Sequence, residues 1–146
     1  MSFVGVRLSQ AKRLFFDRQQ VLSKVSRAER RVLSRFGAYV RQDARQRIRR
    51  RKRPSQPQES PTNQTGLLKR HIYFMFDQHR RSVIIGPTRL SSGSDAPATL
   101  EYGGATVVET PDGQPVRVTI EERPYMGPAF RQELPKLPAM WRDSVR

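Results

Sequence analysis

The sequence predicts an α+β domain: a long N-terminal helix packed on a roughly four-stranded antiparallel sheet, followed by a C-terminal helix. Three observations predict it. Ala28, Val32, Phe36, Val40, Ala44 and Ile48 recur every four residues, which makes one apolar face of a helix. Four short apolar runs, at 71–77, 81–86, 105–110 and 115–121, pair across hairpin-length connections at 78–80 and 111–113. Pro128 suits the first turn of a helix, which residues 129–134 continue.

Taken in order, residues 1–25 form an N-terminal arm. Its first piece, FVGVRL, alternates as a short strand does, and AKRLFFDRQQVL is more helical. Residues 26–53 form the long basic helix. Ser26 and Glu29 match a capping box, Leu33 and Tyr39 widen the apolar stripe, and Arg30, Arg31, Arg35, Arg41, Arg45 and Arg49 lie off it. Pro54 ends the helix, because the residue before a proline avoids the helical region.

Residues 54–64, PSQPQESPTNQ, contain no apolar side chain other than proline and read as a flexible loop. The sheet occupies 65–122. Within it Ile72, Phe74 and Phe76 face one way and Tyr73 and Met75 the other, so the first strand is expected to be central. Residues 91–98 read as a second flexible loop, Gly103-Gly104 as a bend, and Asp112-Gly113 as a hairpin turn. Residues 123–146 form the C-terminal helix and a tail that Pro135 and Pro138 break into short turns, anchored by Trp141.

Composition bounds the function. The chain has 146 residues, 36% of them hydrophobic, so its core is expected to be modest and much of its surface engaged with partners. There is no cysteine, hence no disulfide, thiolate metal site or cysteine nucleophile. No apolar run approaches the ~18 residues of a membrane span, and no membrane partner is expected. Net charge is +15, and it is unevenly placed. Residues 1–53 hold 17 Lys and Arg against 3 Asp and Glu, net +14; residues 54–146 hold 11 against 10, net +1. Such asymmetry points to a polyanionic neighbour.

Catalytic signals are scarce. His71 and His79 fall at a strand start and a turn, with no carboxylate cluster beside them. Glu121 and Glu122 are adjacent on a strand and so face opposite ways. Gly103-Gly104 lacks the strand–loop–helix setting and the lysine of a phosphate loop. The expectation is a protein that is not an enzyme and needs no cofactor or metal. Arg41, Arg45, Arg49, Arg50, Arg51, Lys52 and Arg53 are the candidate contacts, with Asp43 the one acid among the eight cations of 41–53. They suit either the nucleic-acid backbone, without base readout, or an acidic protein partner.

Three segments then carry a resemblance. They are Thr65-Gly66-Leu67-Leu68-Lys69-Arg70, Leu100-Glu101-Tyr102-Gly103-Gly104, and Arg123-Pro124-Tyr125-Met126-Gly127-Pro128-Ala129-Phe130. In this order, behind a long Ala/Arg-bearing helix, they resemble the small neck and tail-completion proteins of tailed bacteriophages, the head–tail joining group. Each motif is short, and Tyr125 and Gly104 stand where that group more often has Phe and Thr. The resemblance implies a structural virion protein, made in the host cytoplasm. It would form a ring, commonly hexameric, between the portal, adaptor or stopper and the tail tube, with DNA passing through the lumen. It marks Thr65, Gly66, Leu67, Glu101, Tyr102, Gly103, Arg123, Pro124, Tyr125 and Pro128 as family positions, and Glu101 is expected to pair with Arg123, inside or between subunits. Without the resemblance, composition alone favours a small, basic, sequence-independent nucleic-acid-binding protein.

Overall fold

The computed structural model describes residues 17–63, 65–88, 95–142 and 144–145. The strand expected within the first sixteen residues lies outside them. The order of elements is α1 (Arg18–Arg47), α2 (Leu67–Arg70), β1 (Ile72–Asp77), β2 (Ser82–Pro87), α3 (Ala96–Tyr102), β3 (Gly104–Glu109), β4 (Pro115–Ile120), α4 (Met126–Glu133), a 3-10 turn (Leu134–Lys136) and α5 (Leu137–Arg142). The fold is α+β: a long N-terminal helix, four antiparallel strands and a C-terminal helix.

Helix α1 forms where the apolar stripe requires it, but its ends differ from the capping-box and proline signals. It starts at Arg18, because the Asp17 carboxylate accepts from the amides of Gln19 (3.0 Å) and Gln20 (3.1 Å). Ser26 is therefore inside the helix, and Glu29 reaches away to Arg81 on the β1–β2 hairpin. Residues 18–25 favour helix and contain no breaker, so the earlier cap prevails. The helix ends at Arg47, not at 53. Ile48 leaves it with extended backbone (ψ 102°) and puts its side chain into the core. The five consecutive cations 49–53 then follow outside the helix, where their mutual repulsion does not act on its last turn.

The stripe is buried along its whole length, from Ala28 to Ile48. Phe36, Val40, Ala44 and Ile48 join Leu68, Ile72, Tyr125 and Ala129 in one core, with Val83, Ile85, Leu100, Met126, Leu137 and Met140 packed around it. Burial of this kind is worth ~25 cal/mol per Å² of apolar surface and holds the helix in place. Gly37 lets α1 approach the β1–β2 hairpin: a Cβ there would lie 2.8 Å from Val83 and 3.0 Å from Phe74.

The four strands form two separate two-stranded sheets, β1–β2 and β3–β4. In the first, Phe74 pairs with Ile85 and Phe76 with Val83, while Met75 pairs with Ile84 on the opposite face. Strand β1 is thus not central. Its apolar outer residues Tyr73 and Met75, and Ile84 of β2, are exposed in the single chain. In the second sheet, Thr106 pairs with Val118 and Val108 with Val116.

The two expected loops are more tightly held than their composition suggests. Residues 54–63 have no regular structure, yet Pro61 is fully buried and Gln58 donates to the Glu122 carbonyl (2.8 Å). Of 91–98, only 95–98 are described; Ala96, Pro97 and Ala98 open helix α3, with proline in its first turn. Pro135 and Pro138 likewise sit in the first turns of the 3-10 turn and α5, so the tail continues as helix and is not broken by them.

Candidate functional site

The three motif segments meet around the core. Gly66 (φ +83°) turns the chain into α2, and its amide donates to Asn63 Oδ1 (2.8 Å). Thr65 Oγ1 accepts from the Leu67 amide (3.4 Å); Leu67 is exposed, whereas Leu68 enters the core beside Tyr125 and Ala129. Gly103 (φ +72°) lies against the end of β4, where a Cβ would be 3.2 Å from the Glu122 amide nitrogen. Both glycines have the positive φ that other residues avoid.

The expected Glu101–Arg123 ion pair does not form within the chain. Buried Glu101 instead accepts from the backbone amides of Tyr125 (2.8 Å), Met126 (2.9 Å) and Gly127 (2.7 Å). These are the orphan donors at the start of α4, whose own N-cap residue, Tyr125, offers no capping side chain. A carboxylate at the positive end of a helix, receiving three charge-assisted hydrogen bonds, is a stronger arrangement than a half-exposed ion pair. Arg123 is held elsewhere: its Nε donates to the Ser55 carbonyl (3.1 Å) and its amide to the Leu100 carbonyl (2.6 Å). The Pro124 carbonyl accepts from Ser60 (3.3 Å), and Pro128 lies in the first turn of α4. These residues therefore join α3, the 54–63 segment and α4 mechanically. Tyr102 is the exception, 81% exposed.

Tyr125 is fully buried, and its hydroxyl finds no hydrogen-bond partner among the described residues. Burial raises its pKa well above the ordinary tyrosine value of about 10, helped by the charge of Glu101 and by Tyr102. With the folded pKa above the unfolded one, the protonated phenol adds stability that is complete below about pH 10 and is lost as pH rises through the folded value. Tyr125→Phe is expected to leave stability at pH 7 unchanged or raise it by up to about 1 kcal/mol. Its stability should also fall less steeply than that of wild type above about pH 10, read from urea denaturation at stepped pH.

The cations divide into two groups. Arg41 is committed within the chain: its Nε donates to the Ile72 carbonyl (2.8 Å), and its guanidinium lies over the Tyr73 ring (5.8 Å). Arg45 is half-buried at the end of α1. Arg47 pairs with Asp43 (2.8 Å) and reaches Gln132 of α4. By contrast, Arg49, Arg50, Arg51, Lys52 and Arg53 are exposed on an arm held by its backbone. The Arg49 carbonyl accepts from the Asn63 amide (3.0 Å), and the Arg53 carbonyl from Thr62 Oγ1 (3.1 Å). This leaves the side chains directed by a fixed main chain. Between the arm and α1 lies an open cleft of about 430 Å³ lined by Asp43, Arg47, Arg49, Arg51, Ser55 and Thr62.

The β3–β4 hairpin is the second surface, which the charge count of the sequence concealed. Nearly every residue in its strands is exposed, with only Thr106 and Ile120 half-buried. Residues 104–122 hold Glu109, Asp112, Glu121 and Glu122 against Arg117, net −3. Within the near-neutral 54–146 stretch this acidic patch is balanced by cations elsewhere.

Among the described residues no group of His, Asp and Glu is placed to hold a metal ion, and no helix is long and apolar enough to cross a membrane. Comparison with protein-family models, with curated proteins and with solved structures finds no match to this chain.

Proposed function

We propose that this chain is a structural subunit that works as one copy in a ring at the head–tail joint of a tailed-phage virion, completing the tail or joining it to the head. DNA passes through the lumen, and the neighbouring rings are the portal, adaptor or stopper on one side and the tail tube on the other. The reading begins from the ordered motifs.

The observation that carries it is the β3–β4 hairpin. A two-stranded hairpin alone in water is marginal, and this one exposes Val107, Val108, Val116 and Val118. Exposed Tyr73, Met75 and Ile84 on the β1–β2 hairpin add a second uncovered apolar surface. A chain that leaves one face of β1–β2 and nearly all of β3–β4 open is suited to neighbours that cover them. The motif residues support the same reading: Glu101, Gly103, Arg123 and Tyr125 serve as joints of a rigid frame.

A second reading, a basic protein that coats nucleic acid without sequence preference, is favoured by the exposed Arg49, Arg50, Arg51 and Arg53. Native mass spectrometry, with and without duplex DNA, separates the two. The ring reading expects one closed oligomer without DNA. A monomer that binds DNA in a salt-sensitive way supports the second reading and overturns the first.

A further inference from the structure

Resting on the ring reading, we propose that the acidic β3–β4 hairpin of one copy docks on the basic arm, residues 49–53, of the next, and that this contact closes the ring. The two surfaces are opposite in charge. The hairpin segment 104–122 is net −3 on a chain of net +15, and the arm carries five consecutive cations.

Most of the charges on the two surfaces make no ion pair among the described residues. The ion pairs among the described residues are Asp43–Arg47, Asp77–Arg80, Glu29–Arg81 and Glu133–Lys136. None involves Glu109, Asp112, Glu121 or Glu122, and none involves Arg49, Arg50, Arg51 or Arg53. Both supports are tied to the same 54–63 segment through the main chain. The hairpin base is bonded to the 54–63 segment through Gln58 and the Glu122 carbonyl, and the arm is bonded to Thr62 and Asn63. Complementary groups left unjoined in one copy can meet between two.

The shapes suit the pairing. Six-residue strands carry the acidic tip roughly 20 Å from the hairpin base. Ala105, Val107 and Glu109 share one face by register with Thr119 and Arg117, so an incoming arginine stem can lie on Val107 while its guanidinium head reaches the Glu109 carboxylate, with Asp112 beyond it in the turn. Contact between two different patches is heterologous, so it propagates from copy to copy and closes when the rotation allows. It also offsets the mutual repulsion of copies that each carry +15. Nucleic acid is a poor occupant of the hairpin, whose acids repel phosphate.

The test is a charge swap on the full chain, read as the concentration at which oligomers assemble by light scattering. Four proteins are compared: wild type, Glu109→Arg/Glu121→Arg, Arg50→Glu/Arg51→Glu, and all four substitutions together. These side chains are exposed and make no ion pair among the described residues, so unchanged circular dichroism and melting are expected; Glu109→Gln/Glu121→Gln is a milder check on folding. Each reversed pair is expected to raise the assembly concentration by about tenfold or more, and the combined variant to recover most of that loss. Wild-type assembly should weaken as salt rises from about 0.1 to 0.5 M. If both reversed variants assemble like wild type, the hairpin–arm contact is overturned while the ring reading stands. If the arm reversal abolishes DNA retention without touching assembly, the arm serves DNA and the contact is likewise overturned. A wild type that stays monomeric at every concentration overturns both.

Discussion

Glu101→Ala is expected to destabilise the protein by about 3 kcal/mol, lowering the melting temperature by roughly 6–12 °C for a chain of this size. The side chain is buried and accepts three amides at the start of α4, at 2.7–2.9 Å. Truncation leaves all three donors without their protein acceptor at the start of α4. It also disconnects α3 from α4, so the Leu100–Arg123 backbone bond loses its lateral support. Glu101→Gln keeps one carbonyl oxygen but turns an NH₂ group toward a backbone N–H, and should lose about half as much. Calorimetry on the three proteins gives the order wild type, Gln, Ala. An alanine variant melting with wild type would show that the amides find other acceptors.

Phe36→Ala is expected to cost about 3–5 kcal/mol. Phe36 is 2% exposed, lies mid-stripe on α1 and meets Phe130 of α4 edge-to-face, with centroids 5.8 Å apart. Its loss opens a void where α1 and α4 pack, and the helices cannot collapse into it while Gly37 already holds α1 close to Val83 and Phe74. Phe130→Ala should cost less, about 1–2 kcal/mol, because that ring is already partly exposed. Urea denaturation measures both. The double variant should fall short of the sum by about 0.5–1.5 kcal/mol, the worth of the aromatic pair.

These two sites mark how far the sequence could be read. The α1 stripe was legible because burial along a helix leaves a period that sequence shows directly: Ala28, Val32, Phe36, Val40, Ala44 and Ile48 are all buried. The ends of α1 were not. Asp17 and Ser26 are both competent caps, and a local window does not say which one the chain uses. Ile48 leaves the helix because the core takes its side chain from extended backbone, a tertiary demand that overrides the proline signal six residues later. The four strands were legible from alternation and turns, but their grouping was not. Alternation assigns residues to faces and says nothing about which strand lies alongside, so an apolar outer face on β1 looked like the centre of a sheet.

Within the chain, the expected role of Glu101 differs from the one the structure gives it. Charge pairs Glu101 with Arg123 on paper; in the structure, unfilled helix amides compete better for the carboxylate. A hint was present, since the run opening at Tyr125 has no Ser, Thr, Asp or Asn to cap it and must borrow an acceptor. The cationic arm was legible as charge, although Arg41 proved to be a tie between α1 and β1. The acidic hairpin was hidden because a sum over 54–146 averages it with distant cations.

The central claim is that this chain acts as one member of a closed collar, and electron micrographs of the purified full-length protein test it most directly. Class averages should resolve rings of a single copy number, with a central opening wide enough for a DNA duplex, about 20 Å across. Fields of single small particles at every protein concentration, or open filaments that never close, would contradict it.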